Sequence, residues 1–419
     1  MEIKGKKLLI LGANAITCEI VNAAKALGVY TIVTDYNDIS KAPAKLIADE
    51  YWNDSIMDYD MLLPKIKEHK VDGILTGFID TVLLPYQYLC EKSGLPCYAT
   101  KEVFENTMDK SKFKQLCRDN GVAVIPEYDL ASFDPHSISE KNKIIIKPVD
   151  NSGSRGVILC DKPEDFSKSL EYALSFSKKK QVVIEKYMEM DNLSVSYTIQ
   201  EGVASLSTTD DRHVYKSKSG SSVTHCSLYP SKYTDAYISR MDAKVRKMYE
   251  NAGVRNGVLS VTFFTDGIEY YAMEMGHRLT GGQHYSYSKM ENGISALDQL
   301  VYFAITGKMA DFKIAEKDNA RFAHTYCHFF ILGKEARIAR IEGLDYLRQM
   351  PEVEHIIQMK KEGDLIGTEG TAAQKVFDLH IKVDNKDHLK QVIKNIEQYV
   401  RFYDAADNDL TINFNCDLL

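Results

Sequence analysis

No stretch of this sequence reaches the roughly 20 consecutive apolar residues that a membrane-spanning helix needs, so a membrane role is not expected. The eight cysteines, at positions 18, 90, 97, 117, 160, 226, 327 and 416, form no CxxC pair. Neither a zinc framework nor a disulfide scaffold is therefore expected, and reduced thiols in a cytoplasmic enzyme are the better reading. Basic residues are not in excess: 52 Lys and Arg against 59 Asp and Glu leave a net charge of -7. That balance argues against nucleic acid as the main partner, while leaving room for a local basic pocket for phosphate. There is no internal repeat, no low-complexity segment, no GK[ST] phosphate loop and no complete glycine fingerprint for a dinucleotide. The opening MEIKGKKLLILGANA has two lysines before an apolar run, as a signal peptide can. The run is short, carries Asn14 and has no cleavage-like site, which makes it a first β-strand.

The 419 residues suggest two to four domains, at roughly 100–200 residues per domain. In residues 1–98, apolar runs at 7–11, 30–34 and 71–75 alternate with helical periodicity, as in a parallel α/β sheet. Gly12 with Asn14, and Asp35 after the second run, leave a nicotinamide-binding reading open beside that of an ordinary strand-to-helix turn. From residue 99 a helix opens at Asp109-Lys110. Strands are expected at 122–128, 143–147, 156–160 and 181–188, and around Glu201-Gly202 within 193–208. Residues 257–264 and 268–275 read as a hairpin about Asp266-Gly267. Residues 209–232, rich in Ser, Thr, Asp, Lys and His, show little periodicity and read as a long irregular segment, of a kind that is often functional. The last hundred residues read as a small α+β unit.

Three segments carry chemistry. In IIIKPVDNSGSRGVIL (144–159) an apolar strand delivers Lys147 to a loop of Asn151, Ser152, Gly153, Ser154 and Gly156. Small residues let backbone N–H groups approach phosphate oxygens, and the lysine adds positive charge. In VVIEKYMEM (182–190) an apolar strand ends at Glu185. That acid could accept the adenine amino group, with Lys186, Tyr187 and Met188 beside the ring. In EYYAMEMGHRLTGG (269–282), Glu274 sits within an apolar strand, where an unpaired carboxylate is costly and a magnesium ion is a natural partner. Arg278, four residues on, could stabilise charge on a transferring phosphoryl group, or simply pair with the glutamate. His277 and His284 flank it and could act as bases or merely pack.

In this order the three segments resemble the ATP-grasp superfamily, whose carbamoyl-phosphate synthetase-like, biotin carboxylase and amino-acid ligase members share the layout. The resemblance covers about residues 1–310. It implies a pre-ATP-grasp α/β domain at 1–98, a two-lobed ATP-grasp domain at 99–310 (lobes 99–184 and 185–310) and a C-terminal α+β domain at 311–419. It further implies ATP and Mg2+ or Mn2+ as cofactors. Lys110 and Lys147 would contact phosphates under a lid of Ser152, Gly153 and Ser154. Glu185 and residues 186–188 would hold adenine, Glu274 a metal, and Arg278 the acyl phosphate. The implied reaction joins a small-molecule carboxylate to an amine, with ADP and phosphate as products, by a protein in which a homodimer is a common assembly. Three positions depart from the pattern. Thr262 stands where a first metal carboxylate is usual, Gly276 where an asparagine often follows the metal glutamate, and Asn192 at the ribose position. Thr262 keeps open an ATP-binding protein without turnover; a biotin- or purine-type carboxylase is a further alternative.

Overall fold

The structure, a computed structural model, describes residues 2–149, 156–217 and 221–419. Four parallel strands, β1 (Lys7–Leu11), β2 (Tyr30–Thr34), β3 (Glu50–Trp52) and β4 (Gly73–Leu75), run in the order β3-β2-β1-β4. The short β3 escapes the sequence pattern because only three residues pair. The dinucleotide cues at the head of this sheet have structural employment. Asn14 Oδ1 accepts from the Thr17 N–H and hydroxyl at the start of the following helix, Thr17–Ala26. The Asp35 carboxylate accepts from the backbone and side-chain N–H groups of Asn37.

A second sheet, ordered β5-β8-β6-β7, is antiparallel and made of β5 (Glu127–Tyr128), β6 (Ile144–Pro148), β7 (Ile158–Cys160) and β8 (Val182–Lys186). It buries Ile144, Ile146 and Ile184 in one cluster with Phe166 and Ala173 of the helix Phe166–Ser175. Ser152, Gly153 and Ser154, with Asn151, lie outside the described residues. At the return of that loop, Gly156 has φ +77, and a Cβ there would lie 2.6 Å from the Cβ of Phe176. Only glycine satisfies both demands.

The third sheet has nine strands. β9 (Asp191–Gln200), β10 (Val203–Lys216), β11 (Ser222–Tyr229), β12 (Gly257–Thr265) and β13 (Tyr270–Gly276) are joined by β14 (Thr325–Gly333), β16 (Val353–Gln358) and β17 (Lys375–Val383). The order is β13-β12-β9-β10-β11-β14-β17-β16, with β19 (Thr411–Ile412) beside β14. A separate pair, β15 (Arg340–Glu342) and β18 (Arg401–Tyr403), lies off this sheet. The hairpins around Glu201-Gly202 and Asp266-Gly267 form as the turn residues indicate, with φ of 53, 90 and 88 at Glu201, Gly202 and Gly267.

Residues 209–232 correct the expectation of an irregular segment. Most of them belong to β10 and β11, which pair with each other and with β9 and β14. The periodicity was invisible because polar residues occupy both faces. Asp210 and Arg212 point one way. On the other, Asp211 accepts from the Lys232 N–H at 2.9 Å and from the Ser231 hydroxyl, and the Thr209 and Thr234 hydroxyls are 2.7 Å apart. Alternation of apolar with polar residues, the signal for a half-buried strand, needs a face without polar partners.

Candidate functional site

The register of the large sheet lines up one polar row. Glu274 on β13 opposes Thr262 on β12, Thr262 opposes Ser194 on β9, and Ser194 opposes Asp210 on β10. A second row, two residues along, runs Asn192, Arg212, Ser227 and His328 across β9, β10, β11 and β14. Residues two apart share a face of a strand, and all of these residues except Asn192 line one cavity of about 320 Å3, which also takes in Arg278, Tyr229 and Lys375.

The ends of this cavity differ in charge. At one end Glu274 is exposed, not buried as its apolar strand suggested. It lies on the cleft face of β13, and burial cost is therefore not what calls for a metal there. Its carboxylate has no hydrogen-bond or ion-pair partner among the described residues. Arg278 is not paired with it. Its Nε and Nη2 instead donate to the two oxygens of Asp80, at 2.6 and 2.7 Å, and Nη1 donates to the Leu279 carbonyl. Asp80 comes from the turn after β4, so this fork ties the parallel sheet to the end of β13; nothing in the sequence joined two residues so far apart.

At the other end Arg212 and Lys375 carry positive charge with no ion-pair partner among the described residues. Burial pushes the Lys375 ammonium down to about 8, and Arg212 adds to that effect. Its Nζ lies 3.3 Å from the centre of the Phe330 ring. Between the two ends, burial pushes the Asp210 carboxyl up to about 6 despite neighbouring Arg212, and its Oδ2 has no partner. The flanking histidines are poor bases. Burial holds His277 and His284 down to about 4. His277 packs against Tyr98 and Phe104, with Nε2 3.2 Å from the Asn256 carbonyl.

A second cluster is built on the smaller sheet. Lys147 on β6 and Glu185 on β8 sit on adjacent strands, with Nζ 2.5 Å from Oε2. Lys114, on the helix Lys110–Asp119, reaches the other oxygen of Glu185 at 2.6 Å and also pairs with Glu127. Phe113 and Cys117 form the packed face of that helix, and Lys114, which is 5% exposed, is buried with them. Burial raises the Glu185 carboxyl, but Lys147 and Lys114 outweigh it and hold it below the usual range. Lys147 is itself lowered, first by burial and then by Lys114 and Lys110, against the pull of Glu185. Two ammonium groups thus share the Glu185 carboxylate, and Lys110 lies near enough to Lys147 to add its charge, a setting short of negative charge. The Glu185 side chain is committed to these lysines. Beside it, the Lys186 and Tyr187 N–H groups donate to the Pro126 and Lys143 carbonyls, both at 2.9 Å. The Met188 N–H has no partner among the described residues. Lys216, at the end of β10, donates to the Tyr187 hydroxyl at 2.9 Å and so bridges the large sheet to this hinge.

Residues 140–286, which hold Lys147, Glu185, Glu274 and Arg278, match the ATP-grasp domain family. The chain carries an ATP-grasp domain. It is 25% identical over 285 residues to the formate-dependent phosphoribosylglycinamide formyltransferase of Synechococcus sp. (strain WH7803), covering 65% of this chain and 70% of the relative. Two solved structures are similar over almost their full length. The L-amino acid ligase from Bacillus licheniformis superposes with a TM-score of 0.78 at 17% identity, covering 96% of this chain and 99% of that one. The biotin carboxylase domain of the Hydrogenobacter thermophilus 2-oxoglutarate carboxylase, in complex with MgADP, gives 0.71 at 17%, covering 95% and 91%. The chain thus stands with the ADP-forming ATP-grasp enzymes. The lysine group stands on the four-stranded sheet and the polar rows on the large sheet, and the Lys216–Tyr187 hydrogen bond joins the two in one frame. Thr262, flagged as a departure, sits directly opposite Glu274 in that frame.

Proposed function

We propose that the protein is an ATP-dependent carboxylate–amine ligase that forms an acyl phosphate and releases ADP and phosphate. The observation that carries the reading is the cavity on the large sheet, with an unpartnered carboxylate at one end, two unpartnered cations at the other and a buried carboxyl between them. Lys147 and Lys114, both on Glu185, and Lys110 near Lys147 supply the positive charge that a triphosphate chain needs. Adenine would then lie against the hinge at Lys186–Met188, read through the free Met188 N–H and not through the Glu185 side chain. Asn192, on the same large sheet, would reach the ribose.

The residues at Glu274 suit a hard divalent cation. One free carboxylate with the hydroxyl of Thr262 on the adjacent strand is an all-oxygen set, and Mg2+ is commonly held by one or two carboxylates plus nucleotide phosphates. When bound, such an ion would neutralise charge on the transferring phosphoryl group. The rest falls to the protein. A substrate carboxylate oxygen attacks the γ-phosphorus, the bond to the bridging oxygen breaks, and ADP leaves. Arg278, held by Asp80 at the cavity wall, steadies the oxygens of the acyl phosphate. The amine nitrogen then attacks the acyl carbon, phosphate departs, and the amine proton passes to Asp210, whose pKa of about 6 suits a base at neutral pH. Arg212 and Lys375 would receive an anionic group on one of the substrates.

The test is an ADP-release screen over pairs of carboxylates and amines with Mg2+ and Mn2+. Substrate-dependent ADP is expected, and it should be abolished in Lys147→Ala and in Glu274→Ala while both stay folded. Release of AMP and pyrophosphate, or near-full activity of either variant, would sink the reading. A second reading, nucleotide binding without turnover, is favoured by Thr262, which leaves one carboxylate where two are usual. Calorimetric ATP binding with no ADP formed across the screen would establish it.

A further inference from the structure

One group of potential metal ligands, at the margin of the cavity, has no role in the reaction derived above. His328 on β14 and His380 on β17 are directly opposed across the ladder, and Asp378 lies two residues before His380 on the same strand face. One ligand atom from each falls within 4.8 Å of the other two, and all three side chains are buried. His328 Nε2 is 2.5 Å from Asp378 Oδ1, and His380 Nε2 is 3.7 Å from the same oxygen. His380 Nε2 is buried and makes no hydrogen bond. A buried polar atom without a partner is uncommon and calls for an explanation. Around the trio, Gln283 Nε2 donates to the second oxygen of Asp378 at 3.4 Å, and the Tyr287 ring packs on His380 at 5.3 Å. His328 also lines the cavity, which provides a way in from solvent.

We propose that His328, Asp378 and His380 bind one divalent transition-metal ion, separately from any ion at Glu274. Two imidazoles and one carboxylate form a borderline donor set that favours Zn2+, Fe2+, Co2+ or Ni2+ over Mg2+ and Ca2+, which prefer oxygen alone. Adjacent strands fix the two imidazoles, and Gln283 orients the carboxylate as an outer partner. Three protein ligands leave a coordination position to water. The alternative is a purely structural His328–Asp378 hydrogen bond, which gives His380 Nε2 nothing to do.

The test uses the full chain stripped with a chelator, titrated with Zn2+ against a metallochromic dye and then with Co2+ followed by visible absorption. One tight equivalent of Zn2+ is expected in the wild type and in Glu274→Ala, and none in His380→Asn or Asp378→Asn. The Co2+ ligand-field bands should follow the same pattern. Circular dichroism and thermal unfolding without metal show whether each variant is folded. Gln283→Ala keeps all three ligands and should weaken Zn2+ about tenfold, which decides the matter if His380→Asn does not fold. Equal Zn2+ binding by the wild type and His380→Asn, no tight equivalent in the wild type, or unchanged affinity in Gln283→Ala would overturn the proposal. Binding lost in Glu274→Ala and kept in His380→Asn would also overturn it, by moving the ion to the nucleotide site. None of these outcomes depends on turnover, so failure here leaves the ligase reading where it stands.

Discussion

Asp210 shows how a single buried group couples function to stability. Its carboxyl is raised to about 6, so the folded protein binds its proton more tightly than the unfolded chain does. A raised carboxyl contributes stability below its unfolded pKa, and that contribution is lost as pH rises through the window up to about 6. At pH 7 the ionised, half-unpartnered carboxylate is a net cost. A shift from 3.8 to about 6 is worth about 3 kcal/mol. Asp210→Asn should therefore raise the thermal midpoint at pH 7, with the gain shrinking toward pH 4, while turnover falls about a hundredfold or more if Asp210 is the base. Unfolding scans across that pH range, paired with ADP assays, read both. Glu185 runs the other way. Its carboxyl is lowered, so the stability it brings is present above its unfolded pKa and lost as pH falls through the lower folded value. Glu185→Gln should destabilise the protein at neutral pH and weaken the acid sensitivity of the remainder. A Glu185→Gln protein whose unfolding matches the wild type at pH 7 would contradict the lysine-crowding account.

Among the elements, strand β12 against β13 sets the metal question. Because Thr262 and Glu274 are directly opposed, Thr262→Asp should place a second carboxylate beside the first. Roughly tenfold less Mg2+ should then half-saturate ADP release, since ligand charge tunes affinity for hard cations. The metal-free variant should be less stable, because Thr262 is 4% exposed and a lone acid there is costly. Titration of activity against Mg2+ checks the first effect and thermal unfolding in chelator the second. Legibility in the sequence follows the same division. Strands with one apolar face, such as β1, β6 and β12, and hairpins with left-handed turn residues were readable, because local chemistry alone specifies them. Lys147, Glu185 and Glu274 were readable as charges set in apolar strands, although Glu274 turned out to face the cleft. The Asp80–Arg278 fork, the pairing of Lys114 with Glu185 and the strand character of 209–232 were not. Each depends on residues far away in the chain, or on polar groups that find partners on both sides of a sheet.

At the scale of the whole molecule, the nine-stranded sheet crosses the boundary at residue 310 that the resemblance implied. β11 pairs with β14, and β14 with β17, so residues beyond 310 continue the sheet that bears Glu274. They also contribute His328 and Lys375 to the cavity. A fragment of residues 1–310 should leave β11 as an open edge of bare backbone groups, beside apolar Cys226 and Leu228. It should be aggregated or insoluble when expressed, as gel filtration would show. A soluble, monomeric fragment that binds ATP would mean that the C-terminal part is an accessory.

The same continuity bears on the order in which a nascent chain becomes competent. β9, β10 and β12 pair over short spans of sequence and can associate while synthesis continues. β17, which supplies Lys375, Asp378 and His380, joins the sheet only through β14, and pairings between distant segments form slowly. The cavity wall therefore closes last. For as long as the final hundred residues are still emerging from the ribosome, the half-built edge at β11 is the surface that a chaperone would have to shield.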